Sequence, residues 1–475
     1  MSPRSRLVAV IVMAAVVAGA LVADRVARPE AEGDTAIAMA NLMPTAAPAR
    51  ALSSTWFCAA GTGNQGGAAD AGVIVVNPSS EAVTATITVV GTEGEPATVP
   101  LDVPASGRAS VRLGDVVAAP YVAATVDVPR GEVAVERVVQ GPLGASAAPC
   151  ASFGSQRWYV ADGSTAREDA MILALYNPFP EDAIVDLSFS TDEGRAVPSD
   201  FQGIVVKGGR VVPVNVGDHV RRRNRVAATV QTRRGRLVVD RLQLRSGEAK
   251  GISVALAAPS AGGEWWFADG YVGDGVGERF SIYNPTGREA VASLELILEE
   301  GAAEPFDLTI PPLGRIDVVA NDEERVPKGV GHSAVVRSLN DVPVVAERSV
   351  VAIAPSGRSG TSEIVGGRRA ASRWLFAAGG ATDVVDEWIT VVNPGASPVQ
   401  VSLTALAAGQ PLAIEGLQDL ELGPGRRRAL RLTDHIKRED LPLLVEASGG
   451  EIIVERAIYL VGTAGISFST GVPMR

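Results

Sequence analysis

Hydrophobic and polar residues alternate with a period of two in many short stretches of this chain. In the stretch 83–89, valine, alanine and isoleucine occupy the odd positions and threonine occupies the even ones. Similar alternation is present at 185–190, 294–299 and 399–404. The pattern is typical of strands in antiparallel sheets, which place one face on a core and the other in water. No long helical pattern interrupts these stretches, so the sequence predicts an all-β fold.

The strands belong to a module that is repeated four times. Each copy begins with a tryptophan that is followed three residues later by Ala-x-Gly. The four tryptophans are Trp56, Trp158, Trp265 and Trp374. An Asn-Pro follows in each copy, at Asn77-Pro78, Asn177-Pro178, Asn284-Pro285 and Asn393-Pro394. The copies start about 105 residues apart, which is the length of a small domain. Because proline cannot continue a strand ladder, Asn-Pro predicts a turn before the next strand.

Three further marks recur in the same order in every copy. The first is an acidic residue near the middle of the module, at Asp115, Asp218, Asp322 and Asp434. The second is an acid–arginine pair, at Glu136-Arg137, Asp240-Arg241, Glu347-Arg348 and Glu455-Arg456. The third is a Gly-x-Ser, with the serines Ser146, Ser253, Ser362 and Ser467. Five shared marks in one order indicate that the four copies share one fold.

About six to eight short strands per copy, with frequent turn signals, are typical of an immunoglobulin-like β-sandwich. We therefore expect four tandem immunoglobulin-like antiparallel β-sandwich domains, arranged on a string after an N-terminal signal or anchor helix. The expected domain boundaries are 51–154, 155–261, 262–370 and 371–475.

The N-terminus predicts export of the chain. Arg4 and Arg6 precede the segment 7–23, in which every residue is apolar or glycine. Basic residues before such a run predict a secretory signal peptide or a membrane anchor over 1–23, with everything after it outside the cytoplasm. Residues 24–50, rich in alanine, proline and charge, are then a flexible tether. The protein is expected to be extracytoplasmic, anchored by 7–23 or secreted if that segment is cleaved.

Two cysteines occur in the chain, Cys58 and Cys150, and both lie in the first copy. In an exported protein, an even pair at the two ends of one domain predicts a disulfide bond.

The net charge of −11 argues against nucleic acid as a partner. One stretch of the second copy is nevertheless rich in arginine. Its candidates for binding an anion are Arg221, Arg222, Arg223, Arg225, Arg233, Arg234 and Arg236. They are either charged strand edges that prevent aggregation, or a face for phospholipid headgroups or an anionic wall polymer.

The sequence does not predict a catalytic, metal or cofactor site. Gly-x-Ser lacks the second glycine, the strand-to-helix turn and the histidine base of a nucleophile elbow, so it indicates the start of a returning strand. His219, His332 and His435 lie in different copies, and no cluster of three or more ligands is visible.

The arginine of each acid–arginine pair is in phase with apolar residues of its strand, so its guanidinium needs a buried partner. We expect a cation–π brace between this arginine and the tryptophan of the same copy. The four braces would be Trp56 with Arg137, Trp158 with Arg241, Trp265 with Arg348, and Trp374 with Arg456. Trp266 and Trp388 lie outside the recurring position, and an exposed tryptophan there could stack on a sugar.

On these motifs the chain resembles an actinobacterial family of exported, membrane-tethered proteins of unknown function, whose repeats carry the same tryptophan, Asn-Pro and Glu-Arg marks. The resemblance covers 56–475 and implies an envelope location and an immunoglobulin-like fold, without an activity. We expect a non-enzymatic envelope protein with scaffold or adhesion modules, whose partners are envelope proteins or wall polymers. The alternative is a binding module for a cell-wall glycan or an anionic envelope polymer, accessory to its assembly.

Overall fold

The structure is a computed structural model that describes residues 43–59, 61–64, 66–301, 303–407 and 409–474. The predicted anchor 7–23 and the first part of the tether lie outside these residues. No helix within the described ranges is long and apolar enough to cross a membrane. The chain divides into two units, Met1–Leu42 and Met43–Arg475, and the second contains all four repeats.

The first repeat forms two four-stranded antiparallel sheets, which confirms the all-β prediction and gives a β-sandwich-like module. The strand orders are β1-β6-β3-β4 and β5-β2-β7-β8. The strands are β1 (Ser54–Cys58), β2 (Asp70–Asn77), β3 (Val83–Gly91), β4 (Ala97–Val103), β5 (Gly107–Arg112), β6 (Val122–Val128), β7 (Ala134–Gly141) and β8 (Gly144–Pro149).

The second repeat has the same plan with one additional strand. Its strands are β9 (Arg157–Val160), β10 (Asp169–Asn177), β11 (Ala183–Thr191), β12 (Gly194–Ala196), β13 (Ile204–Val206), β14 (Arg210–Asn215), β15 (Val226–Arg234), β16 (Val238–Arg245) and β17 (Gly251–Leu256). The sheets run β12-β11-β15-β9, with β13 also on β11, and β14-β10-β16-β17.

The third and fourth repeats follow the same scheme. The third contains β18 (Glu264–Phe267), β19 (Val276–Tyr283), β20 (Ala290–Leu298), β21 (Phe306–Ile310), β22 (Arg315–Val319), β23 (His332–Ser338), β24 (Val345–Ala352) and β25 (Gly360–Val365). The fourth contains β26 (Arg373–Phe376), β27 (Val385–Val392), β28 (Val399–Ala407), β29 (Gln410–Ala413), β30 (Leu420–Leu422), β31 (Arg427–Arg431), β32 (Leu443–Ser448), β33 (Ile453–Leu460), β34 (Ile466–Thr470) and β35 (Val472–Pro473).

The repeated acidic residue ends a short 3-10 helix in each copy. These helices are Leu113–Asp115, Val216–Asp218, Ala320–Asp322 and Leu432–Asp434, and the second repeat has a further 3-10 helix at Ser199–Phe201. The acid does not cap the start of the helix, as a capping residue would, because it is the last of the three residues.

The asparagine of each Asn-Pro is fully buried and joins three segments of its repeat. The side-chain amide of Asn284 donates to the carbonyl oxygens of Arg288 and Ile310, at 2.6 and 3.2 Å, and its Oδ1 accepts from the amide of Thr286 at 3.0 Å. Asn77, Asn177 and Asn393 make corresponding bonds. Because a buried amide must be paired, the asparagine fixes the turn that follows the second strand of each repeat.

The predicted disulfide between Cys58 and Cys150 is confirmed, with the Cα atoms 4.8 Å apart. Cys58 ends β1 in one sheet of the first repeat, and Cys150 directly follows β8 in the other. The bond therefore joins the two sheets of this repeat.

The four repeats pack against one another instead of lying on a string. The strands that carry the Gly-x-Ser serines, β8, β17, β25 and β34, are neighbours in a closed cycle, each contacting the next and β34 contacting β8. The Gly-x-Ser serines stabilise this cycle, because each Oγ accepts a hydrogen bond from a backbone N–H of the following repeat. The bonds are Val254 to Ser146 at 3.1 Å, Glu363 to Ser253, Phe468 to Ser362, and Ala147 to Ser467, the last three at 2.9 Å.

Candidate functional site

The acid–arginine pairs of the four repeats form a second closed cycle. Each arginine bonds the acid of the following repeat, and the arginine of the fourth repeat bonds the acid of the first. The ion pairs are Arg137 with Asp240, Arg241 with Glu347, Arg348 with Glu455, and Arg456 with Glu136. All eight side chains are at most 2% exposed. Adjacent residues on a strand point to opposite faces, so one dipeptide can serve two interfaces.

The carboxylates of this cycle also accept backbone N–H groups from residues that lie just after the opening strand of the preceding repeat. The bonds run from Ala59 to Asp240 at 2.8 Å, Ala161 to Glu347 at 2.8 Å, Asp269 to Glu455 at 3.2 Å and Ala378 to Glu136 at 2.9 Å. Removing one partner of a buried ion pair leaves an uncompensated charge, which typically costs about 3–5 kcal/mol. The cycle therefore specifies which repeat packs on which.

The predicted tryptophan–arginine braces are replaced by other contacts. The guanidinium of Arg348 lies over Phe267 and Phe468, at 5.8 and 4.6 Å from the ring centroids, and that of Arg456 lies over Phe376 at 5.2 Å. All four repeated tryptophans are buried, and three of them instead donate their indole N–H to a backbone carbonyl. These bonds join Trp158 to Leu237, Trp265 to Val344 and Trp374 to Ile452, at 2.7–3.0 Å. Trp56, Arg137 and Arg241 are equally buried. In the third and fourth repeats the arginine instead lies over Phe267 and Phe376, which are two positions after the tryptophan of the same copy and on the same face of its strand.

Burial raises the pKa of several carboxyl groups at these interfaces. Burial raises the pKa of Glu387 to about 8, although the positive charge of the nearby Arg456 lowers this pKa. Glu387 Oε2 accepts the Gly380 N–H at 2.7 Å, whereas Oε1 is buried without a hydrogen bond from the described residues. Burial also raises the pKa of Glu455 to about 7, against the effect of Arg348. These groups bind protons more tightly in the folded protein than in the unfolded chain.

The arginine-rich stretch of the second repeat is divided between the two ends of one strand. Arg221, Arg222, Arg223 and Arg225 precede β15, whereas Arg233, Arg234 and Arg236 lie at its far end. At about 3.3 Å per residue, the nine residues of β15 separate the two groups by roughly 30 Å.

Several of these arginines already have partners within the protein. Arg233 pairs with Asp186 at 2.6 Å, and Arg225 lies 3.6 Å from Asp317 of the third repeat. Arg236 lies over the ring of Phe179 at 4.1 Å. The seven arginines therefore do not form one continuous anion-binding face.

A cavity of about 490 Å³ lies between the third and fourth repeats. It is lined by Asp269, Tyr271, Asp274, Val276, Glu299, Gly331, Ser356, Arg358, Trp388, Arg427, Ala429 and Tyr459. This volume falls within the range of about 300–1,000 Å³ that is usual for ligand pockets. Aromatic rings and charged groups share its wall, so it can contact both apolar and hydrogen-bonding parts of a ligand.

Arg427 and Arg358 organise the polar wall of this cavity. Arg427 is almost fully buried and lies 2.6 Å from the carboxylate of Glu299 and 3.5 Å from that of Asp269. The guanidinium of Arg358 lies over the ring of Tyr459, at 3.5 Å from its centroid. Arg427 of the fourth repeat thus forms ion pairs with two acidic residues of the third repeat.

Of the two tryptophans outside the recurring position, only Trp388 lines the cavity. Its indole is partly exposed, and its N–H donates to Asp386 at 3.1 Å. Trp266 is 5% exposed and is covered by the guanidinium of Arg337, 5.1 Å from its ring. Sequence reasoning missed Arg427 and Asp269. Aligning the four copies would have shown both, since Arg427 is in register with Arg108 and Arg315.

The three histidines lie apart from one another. His332 is buried, and its Nε2 lies 2.5 Å from Glu278 Oε2, while His219 lies 3.3 Å from Asp200. His435 Nδ1 lies 3.0 Å from the carbonyl oxygen of Glu415. No group of three or more His, Cys, Asp or Glu residues in the described part of the chain is placed to hold a metal ion.

Comparison with known proteins identifies a similar family, but no activity is assigned to that family. A family model described as "Family of unknown function (DUF5719)" matches residues 137–364, a little under half of the chain. The match runs from Arg137 to Ile364 and so includes the whole second repeat. It supports the resemblance to a family of unknown function. No curated protein matches this chain.

Two solved structures resemble short parts of the chain. The "Crystal Structure of Thermotoga maritima 1070" is 21% identical, covers 23% of this chain and 97% of its own, and has a TM-score of 0.21. The "Anabaena sensory rhodopsin transducer" is 24% identical, covers 18% of this chain and 94% of its own, and has a TM-score of 0.17. At these TM-scores neither likeness supports an argument about function.

Proposed function

We propose that this protein is a non-enzymatic, extracytoplasmic scaffold of the cell envelope, like the actinobacterial exported family that it resembles. Its four immunoglobulin-like sandwiches would act as one rigid body, held at the membrane by residues 7–23 or secreted if that segment is cleaved. The observation that carries this proposal is the closed cycle of buried ion pairs, which joins every repeat to the next and the fourth to the first.

A scaffold must hold its binding surfaces at fixed distances from one another. Four independent domains on flexible linkers would rotate relative to one another, whereas repeats joined by buried charges and serine–backbone bonds do not. The disulfide between Cys58 and Cys150 supports the expected location, because such bonds persist in oxidising compartments outside the cytoplasm.

Labelling and cross-linking in intact cells test this proposal. Lys207 and Lys437 are exposed or largely exposed, so a membrane-impermeant amine reagent should modify them in the full-length chain without lysis. A short amine cross-linker should then join these lysines to other envelope proteins, with the same partners recovered in repeated experiments. Modification only after lysis would contradict the location. Cross-links confined to this chain would contradict the scaffold role.

A second candidate function is binding of a cell-wall glycan, as an accessory to its assembly. The cavity lined by Trp388 favours this function, because it combines an aromatic wall with hydrogen-bonding groups. The hypothesis that the ligand is an anionic polymer is less favoured, because the arginines of the second repeat lie at opposite ends of β15.

Retention of the full-length chain on purified envelope fractions separates these candidates. Binding to an anionic polymer would weaken steeply with salt and with reversal of Arg221 and Arg223 to glutamate. Binding to a neutral glycan would persist in high salt and be unaffected by these reversals. If the chain is not retained on wall material at any salt concentration, glycan binding is excluded and the scaffold proposal stands alone.

A further inference from the structure

The interface between the second and third repeats corresponds to the one that holds the cavity, but it is filled with charged side chains. Arg279 bonds the buried carboxylate of Asp162 at 2.6 Å, and Arg225 and Arg279 lie 3.6 and 3.9 Å from Asp317. Arg245 bonds Glu363 at 2.6 Å. Arg279, Arg315 and Arg241 hold the pKa of Asp162 well below its ordinary value, despite its burial. The network leaves little room between the two repeats.

At the interface between the third and fourth repeats, five of these six charged residues are replaced. Strand register shows the correspondence, because Trp388 and Arg279 each pair with the residue that follows the arginine of the ion-pair cycle. The replacements are Gly331 for Arg225, Ala352 for Arg245, Trp388 for Arg279, Ala429 for Asp317 and Phe468 for Glu363. Gly331, Trp388 and Ala429 line the cavity. Gly331 and Ala429 are smaller than the residues that they replace, so the cavity lies where Arg225 and Asp317 lie in the neighbouring interface.

Two other charged residues have counterparts at the interface between the third and fourth repeats, where they line the cavity. Asp269 corresponds to Asp162, and Arg427 corresponds to Arg315. Asp162 is fully buried under two arginines, whereas Asp269 is 15% exposed and has Arg427 at 3.5 Å. The substitution of Trp388 for an arginine thus leaves an acceptor of hydrogen bonds at the cavity wall, next to an aromatic ring.

We propose that this cavity is a binding site for a neutral glycan unit, an inference that rests on the second function proposed above. Sugar rings present apolar C–H faces surrounded by hydroxyl groups. The rings of Trp388 and Tyr271 offer apolar surface, while Asp269, Asp274 and Glu299 accept hydrogen bonds from hydroxyls.

The charges of the cavity wall select against an anionic ligand. Three carboxylates and two guanidiniums, those of Arg358 and Arg427, line it. Arg427 is already paired with Glu299, and Arg358 lies over Tyr459 and 3.7 Å from Asp386. An anion would meet an excess of negative charge, so the ligand is expected to be uncharged and its affinity to depend little on salt.

Calorimetric titration of the full-length chain, in detergent, tests the site. The probes are neutral di- to hexasaccharides of hexoses, pentoses and N-acetylhexosamines, with a sulfated oligosaccharide as the charged comparison. We expect saturable binding of a neutral member of the panel at low and high salt. Trp388→Ala should weaken it by about tenfold or more, because a buried aromatic ring carries much of the binding energy of such a pocket.

A second variant separates binding from folding. Trp388→Arg combined with Ala429→Asp restores two charges of the neighbouring interface, where Arg279 meets Asp162 and Asp317. The new arginine should pair with Asp269 and with the new aspartate, remove the aromatic surface and abolish binding without lowering the melting temperature. Unchanged binding in both variants would overturn this site while leaving glycan binding in place elsewhere on the protein. Failure of every neutral oligosaccharide to bind the unmodified chain would overturn both the site and the second candidate function.

Discussion

Arg456 in the fourth repeat bonds Glu136 in the first, across 320 positions of the chain, with 2.9 Å between Nη2 and Oε2. The other three ion pairs of the cycle join each repeat to the one that follows it in sequence. The pair of Arg456 and Glu136 is the one that closes the cycle. The strength of this ion pair therefore affects the stability of all four repeats and not only that of the first and fourth.

Replacement of Arg456 by methionine should destabilise the whole folded unit. The carboxylate of Glu136 would remain buried, with the N–H of Ala378 as a remaining donor, and the free energy of unfolding should fall by about 3–5 kcal/mol. Chemical denaturation of the full-length chain measures this loss. The matched control is Arg373→Ala, since Arg373 also reaches the first repeat, through Glu132 at 2.8 Å, but is 35% exposed. That change should cost only about 0–1 kcal/mol.

The double variant with Arg456→Met and Glu136→Leu should recover most of the lost stability. With both members of the pair removed, neither charge is left uncompensated in the interface, and apolar replacements of buried ion pairs are often tolerated. If the double variant were as unstable as Arg456→Met, the pair would not be the cause of the loss.

Removal of the disulfide should affect more than the first repeat. Cys58 and Cys150 are 92 residues apart, and opening a loop of that length should cost about 4–5 kcal/mol in the chain-entropy model. The core around Cys58 and Cys150 includes Leu375, Val472 and Met474 of the fourth repeat. With Cys58→Ala and Cys150→Ala together, hydrogen exchange should therefore become faster in the fourth repeat as well as in the first. Faster exchange confined to the first repeat would show that the repeats unfold independently.

Stability should decrease as the pH rises from about 5 to 8. Burial raises the pKa of Glu387 from its ordinary 4.5 to about 8, so the folded state binds a proton that the unfolded chain has released. The free energy of unfolding is then highest below the unfolded pKa and falls by up to about 1.4 kcal/mol per pH unit until the folded pKa is passed. Glu455, with a pKa raised to about 7, contributes in the same direction.

Thermal melts at several pH values check this dependence. Glu387→Gln should flatten the decrease and raise the melting temperature at pH 8, because glutamine stays neutral there. Glu446→Gln is the control, since Glu446 is 44% exposed and its replacement should leave the slope unchanged. An identical slope in Glu387→Gln would exclude Glu387 as its source.

The buried asparagine of each repeat should be needed for stability. Asn284→Ala would remove three side-chain hydrogen bonds to backbone carbonyls, among them the bond to the buried Ile310, at a cost of about 1–3 kcal/mol. Asn340 also bonds two backbone groups, in Val291 and Glu289, but at an exposed site. Asn340→Ala should therefore cost much less in the same denaturation experiment, and equal costs would count against a role for burial.

The period-two pattern predicted the strands well because burial of alternate side chains is a local property of a strand. The stretch 83–89 lies within β3. Ala85 and Ile87 are buried and Val83 is partly buried, while the threonines between them are exposed. The Asn-Pro turns and the Cys58–Cys150 disulfide were predicted correctly for a similar reason, since backbone restriction and the pairing of two lone cysteines need little knowledge of the rest of the fold.

The partners of the buried arginines could not be predicted in this way. The phase of Arg348 with its apolar neighbours indicated that the guanidinium is buried, but its carboxylate partner, Glu455, lies 107 positions away in another repeat. The aromatic ring beside it was assigned to a tryptophan on the basis of recurrence alone. The arginine-rich stretch was treated as one face for a related reason, because nearness in sequence does not show that a nine-residue strand runs between the two groups.

The sequence by itself determined the repeated unit: an all-β module with Asn-Pro turns, a buried arginine and, in the first copy, a disulfide. Only the tertiary structure decided that the four units close on one another and that one interface contains a cavity. The physical reason is that all four copies carry the same marks, so a buried arginine could be paired equally well within its own repeat, in the next repeat or in another chain. Which carboxylate it meets depends on how whole sandwiches pack, and that follows from the shape of their surfaces and not from the spacing of residues along the chain.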